Sequence, residues 1–192
     1  MTTARIAAAL LLTLAGFCGA TQAAQTSDGE NALQQQAQQA LWPADIVRLA
    51  DQYLSRYPGG TWSDQAMALR EQAGQAMRVL SRNDVRLYRS AFHTAGDAAS
   101  VQDDMRRAAL GDRQAAVRLA HLHQRGESGL AQDLNRYVGW LQYAAMLGDD
   151  QASYELALYY RRDAQPVLAA KYEARAVELG FTPPRDLDHF RK

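Results

Sequence analysis

The chain has 192 residues, 21 of them basic and 21 acidic, so it carries no formal net charge at neutral pH. That balance excludes the electrostatic footprint expected of a nucleic-acid binder or an anionic-membrane binder. With 47% hydrophobic and 22% charged residues it has the composition of an ordinary folded chain, long enough for one domain. Ala, Gln, Leu and Arg are plentiful while Val, Ile, Thr and Phe are sparse, and this bias makes all-α the expected fold class.

The first residues read as an address. Arg5 supplies a positive n-region, residues 6–20 are an unbroken run of apolar and small side chains, and Thr21-Gln22-Ala23 offers small residues at the two positions a signal peptidase reads. The run is shorter than the ~20 residues that span a bilayer, so a cleavable signal over residues 1–23 is expected rather than a transmembrane anchor. Cys18 is preceded by Phe17 where a lipobox has a small residue, which argues against lipidation. Cleavage after Ala23 removes the chain's one cysteine, and with it disulfides, thiol chemistry and cysteine-held metals. The expected location is the periplasm.

Residues 24–42 read as a polar linker and helix. Residues 25–30 are turn-like, and residues 31–41 carry a thin apolar stripe of Leu33, Ala37 and Leu41. Pro43 suits the first turn of a helix whose apolar face is Ile46, Leu49, Ala50, Tyr53 and Leu54. Tyr57-Pro58-Gly59-Gly60 ends it, and Ser63 is placed to cap the next helix, residues 64–80. Asn83 and Asp84 then suggest a cap for a helix through Leu87, Tyr88 and Phe92, closed by Gly96. Ser100 suggests a cap for one through Val101, Met105 and Ala109. Short connections throughout favour antiparallel neighbours.

The strongest signal is internal similarity. Sliding the chain by 37 positions, the separation of Gly111 and Gly148, superposes Ala108 on Ala145, Leu110 on Leu147 and Asp112 on Asp149. The same shift matches Gln114 with Gln151, Leu119 with Leu156, Ala120 with Ala157 and Arg125 with Arg162. A shift of 32, from Gly148 to Gly180, places Tyr172 on Trp140 and Ala176 on Ala144. Each match has a physical role: the glycines end helices, the aspartates cap them, the alanines let helix axes approach, and the large residues fill the space between units. One hairpin cannot bury its apolar face alone, so its neighbours must cover it.

Helix, Leu54-x-x-Tyr57-Pro58, loop and Ala-rich helix over residues 43–107 is similar to a tetratricopeptide-type unit. Gly111-Asp112-x-x-Ala115-x-x-x-Leu119-Ala120-x-x-His123-x-x-Gly126, then Gly129-Leu130-x-x-Asp133, then Trp140-x-x-x-Ala144-Ala145-x-x-Gly148-Asp149 resembles the Sel-one-like repeat, a relative of the tetratricopeptide repeat. The resemblance covers residues 108–181 and leaves residues 182–192 as a tail. Departures are Ala120 and Ala157 where the family often has Gly, His123 where Tyr is usual, and Asp163 in place of the second turn glycine. The resemblance implies a right-handed superhelical solenoid of antiparallel helix pairs. It implies an adaptor that holds other proteins in an assembly, as family members do in polysaccharide export, flagellar motors and envelope signalling.

No residue cluster makes a convincing enzyme. His121 and His123, two apart on a helix, point to different faces and cannot chelate one ion. His123 is expected to be packed and hydrogen-bonded, and His121 exposed. Asp103-Asp104 and Asp149-Asp150 read as caps or solvated faces. Asp186-x-Asp188-His189 lies in a proline-flanked tail without further ligands. No phosphate loop, Gly-x-Ser-x-Gly or zinc helix is present. The expectation is therefore no catalytic residue, no metal and no cofactor.

What remains is a surface. Each unit's first helix lines the concave face of such a stack. The stripe opposite the core is Gln114, Arg118, His121 and Arg125 in one unit, and Gln151, Glu155, Leu158 and Arg162 in the next. Arginines beside an exposed leucine suit a protein partner of the cell envelope. Tyr137, Tyr143 and Tyr154 are further candidate contacts. Polysaccharide is the alternative ligand, with the chain as a glycan-binding accessory of an exporter or enzyme. That reading needs Trp62, Trp140 or tyrosines exposed in a groove. A cell-wall or β-lactam hydrolase would need facing carboxylates or a buried histidine–acid pair in a cleft.

Overall fold

The computed structural model describes residues 18–93 and 98–182, with side chains from residue 28 onward. Residues 1–17 of the expected signal, Gly96, and Asp186, Asp188 and His189 of the tail lie outside the described residues. The described residues form α1 (Cys18–Gln39), α2 (Pro43–Arg56), α3 (Ser63–Leu80), a single 3₁₀ turn (Arg89–Phe92), α4 (Ala99–Ala109), α5 (Arg113–Arg125), α6 (Leu134–Met146), α7 (Asp150–Arg162) and α8 (Pro166–Glu178). No strand occurs among them, and consecutive helices pack on one another. None of these helices is long and apolar enough to cross a membrane.

α1 runs through residues 25–30, which the sequence presents as turn-like. A tertiary anchor explains the difference. The Glu30 carboxylate accepts a short hydrogen bond from the Tyr53 hydroxyl, and bonds from the Thr61 amide at 3.1 Å and its hydroxyl at 3.2 Å. Tyr53 also accepts from the Trp62 amide at 2.9 Å, so one buried phenol ties α1 to α2 and to the start of α3. A polar helical stretch of low propensity is held by such contacts rather than by local preference.

α2 begins with Pro43 in its first turn and buries Ile46, Leu49, Ala50 and Tyr53, the face that helical spacing predicts. At α3 the cap differs from expectation. Trp62 occupies the N-cap, and Ser63 is the first helical residue. The Trp62 ring is buried edge-on against Tyr53, with centroids 5.0 Å apart, and that packing sets where the helix starts. Ser100 likewise lies inside α4, whose N-cap is Ala98.

The largest departure is at residues 83–92, where a helix is expected and a turn, an extended run and one 3₁₀ turn are found. Val85 and Leu87 are buried while Arg86 and Tyr88 are exposed, a period of two rather than 3.6. The Arg86 amide donates to Gln142 Oε1 of α6 at 2.8 Å, which satisfies a backbone group that a helix would have satisfied internally. Asp84 caps nothing. It pairs with Arg82 at 3.0 Å and with Lys171 of α8 at 2.9 Å. Those bonds, the Arg82 one foremost, hold its carboxyl down to about 2. The folded chain thus binds this proton less readily than the unfolded chain, whose value is near 3.9. The stabilisation is complete above about pH 4 and is lost as pH falls through about 2. Urea unfolding at about pH 5 and pH 2 is expected to show the parent chain losing on the order of 1–2 kcal/mol more than Asp84→Asn.

α5 to α8 are four helices of 13 residues each. The similarity in sequence is matched by an identical turn, used three times. Gly111, Gly148 and Gly180 have φ of 89°, 93° and 98°. The amides of Asp112, Asp149 and Phe181 that follow donate back to Arg107, Ala144 and Ala176 at 3.0, 3.0 and 2.9 Å. This left-handed ending satisfies carbonyls at a helix C-terminus and re-aims the chain within two residues. Asp112 then caps α5 through the amides of Gln114 and Ala115, and Asp149 caps α7 through that of Ala152 at 2.8 Å.

The α7–α8 turn lacks this glycine. α5 ends on Gly126 at φ 70°, but α7 ends on Asp163 at φ −82°, and Ala164 takes the left-handed conformation at φ 54°. That conformation costs an L-residue about 1–2 kcal/mol. Ala164→Gly is expected to raise the unfolding free energy by about 0.5–1 kcal/mol, part of the relief being offset by the freer unfolded chain. Thermal melting reads the change directly.

The core is continuous from α2 to α8. Ile46, Ala73 and Ala76 belong to the same buried cluster as Leu119, Trp140, Leu156 and Tyr172. A second, smaller cluster of Ala37, Leu49, Ala50, Tyr53, Trp62 and Ala66 joins α1 to α2 and α3.

Candidate functional site

The stripe singled out in the sequence lies on α5 and α7, and its centre is one contact. His121 Nε2 donates to Glu155 at 2.9 Å, and both side chains are about one-third exposed. His121 is therefore half-buried in an inter-helix pair, not exposed as expected. Around it the α5 residues are held by neighbours. Gln114 donates to Asp149 Oδ2 at 2.7 Å, Arg118 makes a two-pronged bond to Asp104 of α4 with its shortest contact at 2.6 Å, and Arg125 pairs with Glu127 at 2.8 Å. Gln151 and Arg162 are exposed, while Leu158, expected to be exposed, is partly covered. The surface is thus largely preset by its own pairings, which lowers the ordering cost of binding.

The other singled-out residues fall in the interior. His123 is 1% exposed, with Nδ1 donating to the Ala131 carbonyl at 3.2 Å, and burial lowers its pKa. Tyr137 and Tyr143 are core residues. Burial pushes the Tyr137 phenol up to about 12, with the Glu155 charge adding to the effect. Tyr154 is partly buried and stacks on Phe181 with centroids 4.4 Å apart. Trp62 and Trp140 are buried at 4% and 0% exposure, so neither offers the aromatic platform the glycan reading asked of them. No group of three or more His, Cys, Asp or Glu side chains placed to hold a metal occurs among the described residues.

A groove away from that stripe was not anticipated. The segment at 83–88, a turn followed by an extended run, stands along α6, α7 and α8 and walls a groove of about 630 Å³. Its floor is Gln142, Tyr160 and Tyr172. Gln142 accepts from the Arg86 amide and donates to the Tyr160 hydroxyl at 2.8 Å, and Tyr160 stacks on Tyr172 at 5.6 Å with the rings 11° apart. Tyr88, 70% exposed, stands at the rim with Asn83, Asn135 and Tyr159. One readable sign of this groove was Gly139, a glycine in mid-helix. A Cβ there would meet the Arg86 carbonyl oxygen at 2.6 Å, and mid-helix glycine often marks such a close approach.

No family model matches the chain, and no curated protein or solved structure matches it. The described residues carry a preset polar surface on α5 and α7 and an aromatic, amide-rimmed groove along α6, α8 and another face of α7.

Proposed function

We propose that this chain is an exported helical-repeat scaffold of the Sel-one-like type, whose helix pairs stack in a right-handed superhelix. A protein of the cell envelope docks on the face formed by α5 and α7. The observation that carries the reading is the turn used three times, after α4, α6 and α8, together with the matched cap aspartates and equal helix lengths. Chains built of such units bind through the surface that their first helices share. The docking step needs no cofactor. Arg125, Gln151 and Arg162 supply exposed polar contacts, Leu158 an apolar one, and the His121–Glu155 pair fixes the spacing between the two helices.

Charge reversal at two exposed positions tests this. Arg125→Glu with Arg162→Glu is expected to leave the fold intact, because surface changes of this kind cost within about 0.5 kcal/mol. The same variant is expected to move the protein from a large complex to its free size in a gently solubilised envelope extract. A variant that still migrates with the complex would remove the α5–α7 face from the account.

A further inference from the structure

We propose that the groove between residues 83–88 and α6–α8 binds a neutral oligosaccharide. This goes beyond the docking role of the α5–α7 face and does not depend on it. Three properties of the groove carry it.

The first is shape and rigidity. About 630 Å³ lies within the ~300–1,000 Å³ typical of small-ligand sites. The floor is already assembled, because both ends of the Gln142 amide are engaged and Tyr160 is clamped against Tyr172. A ligand therefore meets a preformed surface.

The second is the mixture of side chains. Tyr88 presents a ring that is 70% exposed, an arrangement that leaves apolar surface in water unless something lies on it. A sugar ring has an apolar face of C–H groups that covers such a phenol, while its hydroxyls point outward. Asn83 and Asn135 at the rim carry amides with both donors and an acceptor, which match hydroxyls that also donate and accept.

The third is charge. The groove's acids, Asp84 and Asp163, are balanced by Arg86 and Lys171, and Asp84 is already paired with Lys171 at 2.9 Å. The lining's own charges therefore cancel, and the one further base beside it, Arg82, is engaged by Asp84 at 3.0 Å, so little net field is left to attract a phosphate or a uronic acid. A peptide strand fits less well, since the Arg86 amide that would pair with it is bonded to Gln142.

The test is an NMR titration of the ¹⁵N-labelled full chain with linear tetrasaccharides of glucose, galactose, mannose and N-acetylglucosamine, and with a pool of uncharged tetrapeptides. The expected result is saturable shifts at the amides of Arg86, Tyr88, Asn135 and Tyr159 with at least one sugar. Tyr88→Ala and Asn135→Ala should each weaken binding about tenfold while keeping the parent spectrum elsewhere. Gln151→Ala, on the α7 surface, should bind as the parent does. The inference is overturned if no sugar shifts those amides, if Tyr88→Ala binds equally well, or if the peptides alone shift them.

Discussion

Replacing Trp140 with alanine is expected to lower the unfolding free energy by about 3–5 kcal/mol, the range for truncating a buried aromatic side chain. The ring is fully buried and stands 4.8 Å from Phe92 and 6.1 Å from Tyr143, centroid to centroid. Phe92 in turn meets Trp42 at 5.2 Å, and the Tyr143 hydroxyl donates to the Ala108 carbonyl at 2.7 Å. One side chain thus joins the residue before α2, the 3₁₀ turn, α4 and α6. Its loss should loosen the attachment of the N-terminal helices to the repeated ones as well as leave a cavity. For a chain of this length the melting temperature should fall by roughly 6–20 °C. Val177→Ala, at a position 57% exposed, serves as the control and should change stability by no more than about 0.5 kcal/mol. A Trp140→Ala loss below about 1 kcal/mol would mean that the two parts do not share a core.

Gly139→Ala is expected to destabilise the fold by about 1–3 kcal/mol, although helix propensity alone predicts the opposite sign. Alanine is better than glycine by about 1 kcal/mol in a helix interior. Against that, the new Cβ would lie 2.6 Å from the Arg86 carbonyl oxygen and 3.3 Å from its carbon. The obstacle is backbone, which cannot swing aside as a side chain can, and forced overpacking of this kind outweighs the propensity gain. The segment at 83–88 must lift, breaking the bond from the Arg86 amide to Gln142 and opening the groove wall. Urea unfolding measures the loss, and faster exchange of the Arg86 amide locates it. A variant stabilised by about 1 kcal/mol would show that the segment is not seated on α6.

Local chemistry made much of the fold readable. Asp112 and Asp149 announce their caps, and the glycines after Leu110, Leu147 and Leu179 announce left-handed turns, because each depends only on residues a few positions away. Where distant residues decide, the sequence misleads. Asn83-Asp84 followed by apolar residues reads as a capped helix, yet the partner that holds the segment extended, Gln142, is 56 positions on from Arg86. The alternation of buried Val85 and Leu87 with exposed Arg86 and Tyr88 is only four residues long, too short to outweigh the cap signal. Residues 25–30 follow the same logic, since Glu30 finds its partners at Tyr53 and Thr61.

The candidate surface divides in the same way. Matching positions in the two units pick out the stripe on α5 and α7, because an outward face repeats with the helix. They do not reveal that His121 meets Glu155, that Arg118 turns to Asp104 on α4, or that Gln114 is held by Asp149. Those pairings come from packing, and they leave Gln151 and Arg162 as the exposed side chains of the α7 stripe.

Photocrosslinking in living cells tests the proposed docking face most directly. A photoreactive residue is placed in turn at Gln151, Leu158 and Arg162, with Met67 and Val177 as exposed controls on other helices. The account predicts that one envelope protein is captured from all three α7 positions and from neither control. Capture of nothing from α7, or of the same proteins from the controls, would contradict it.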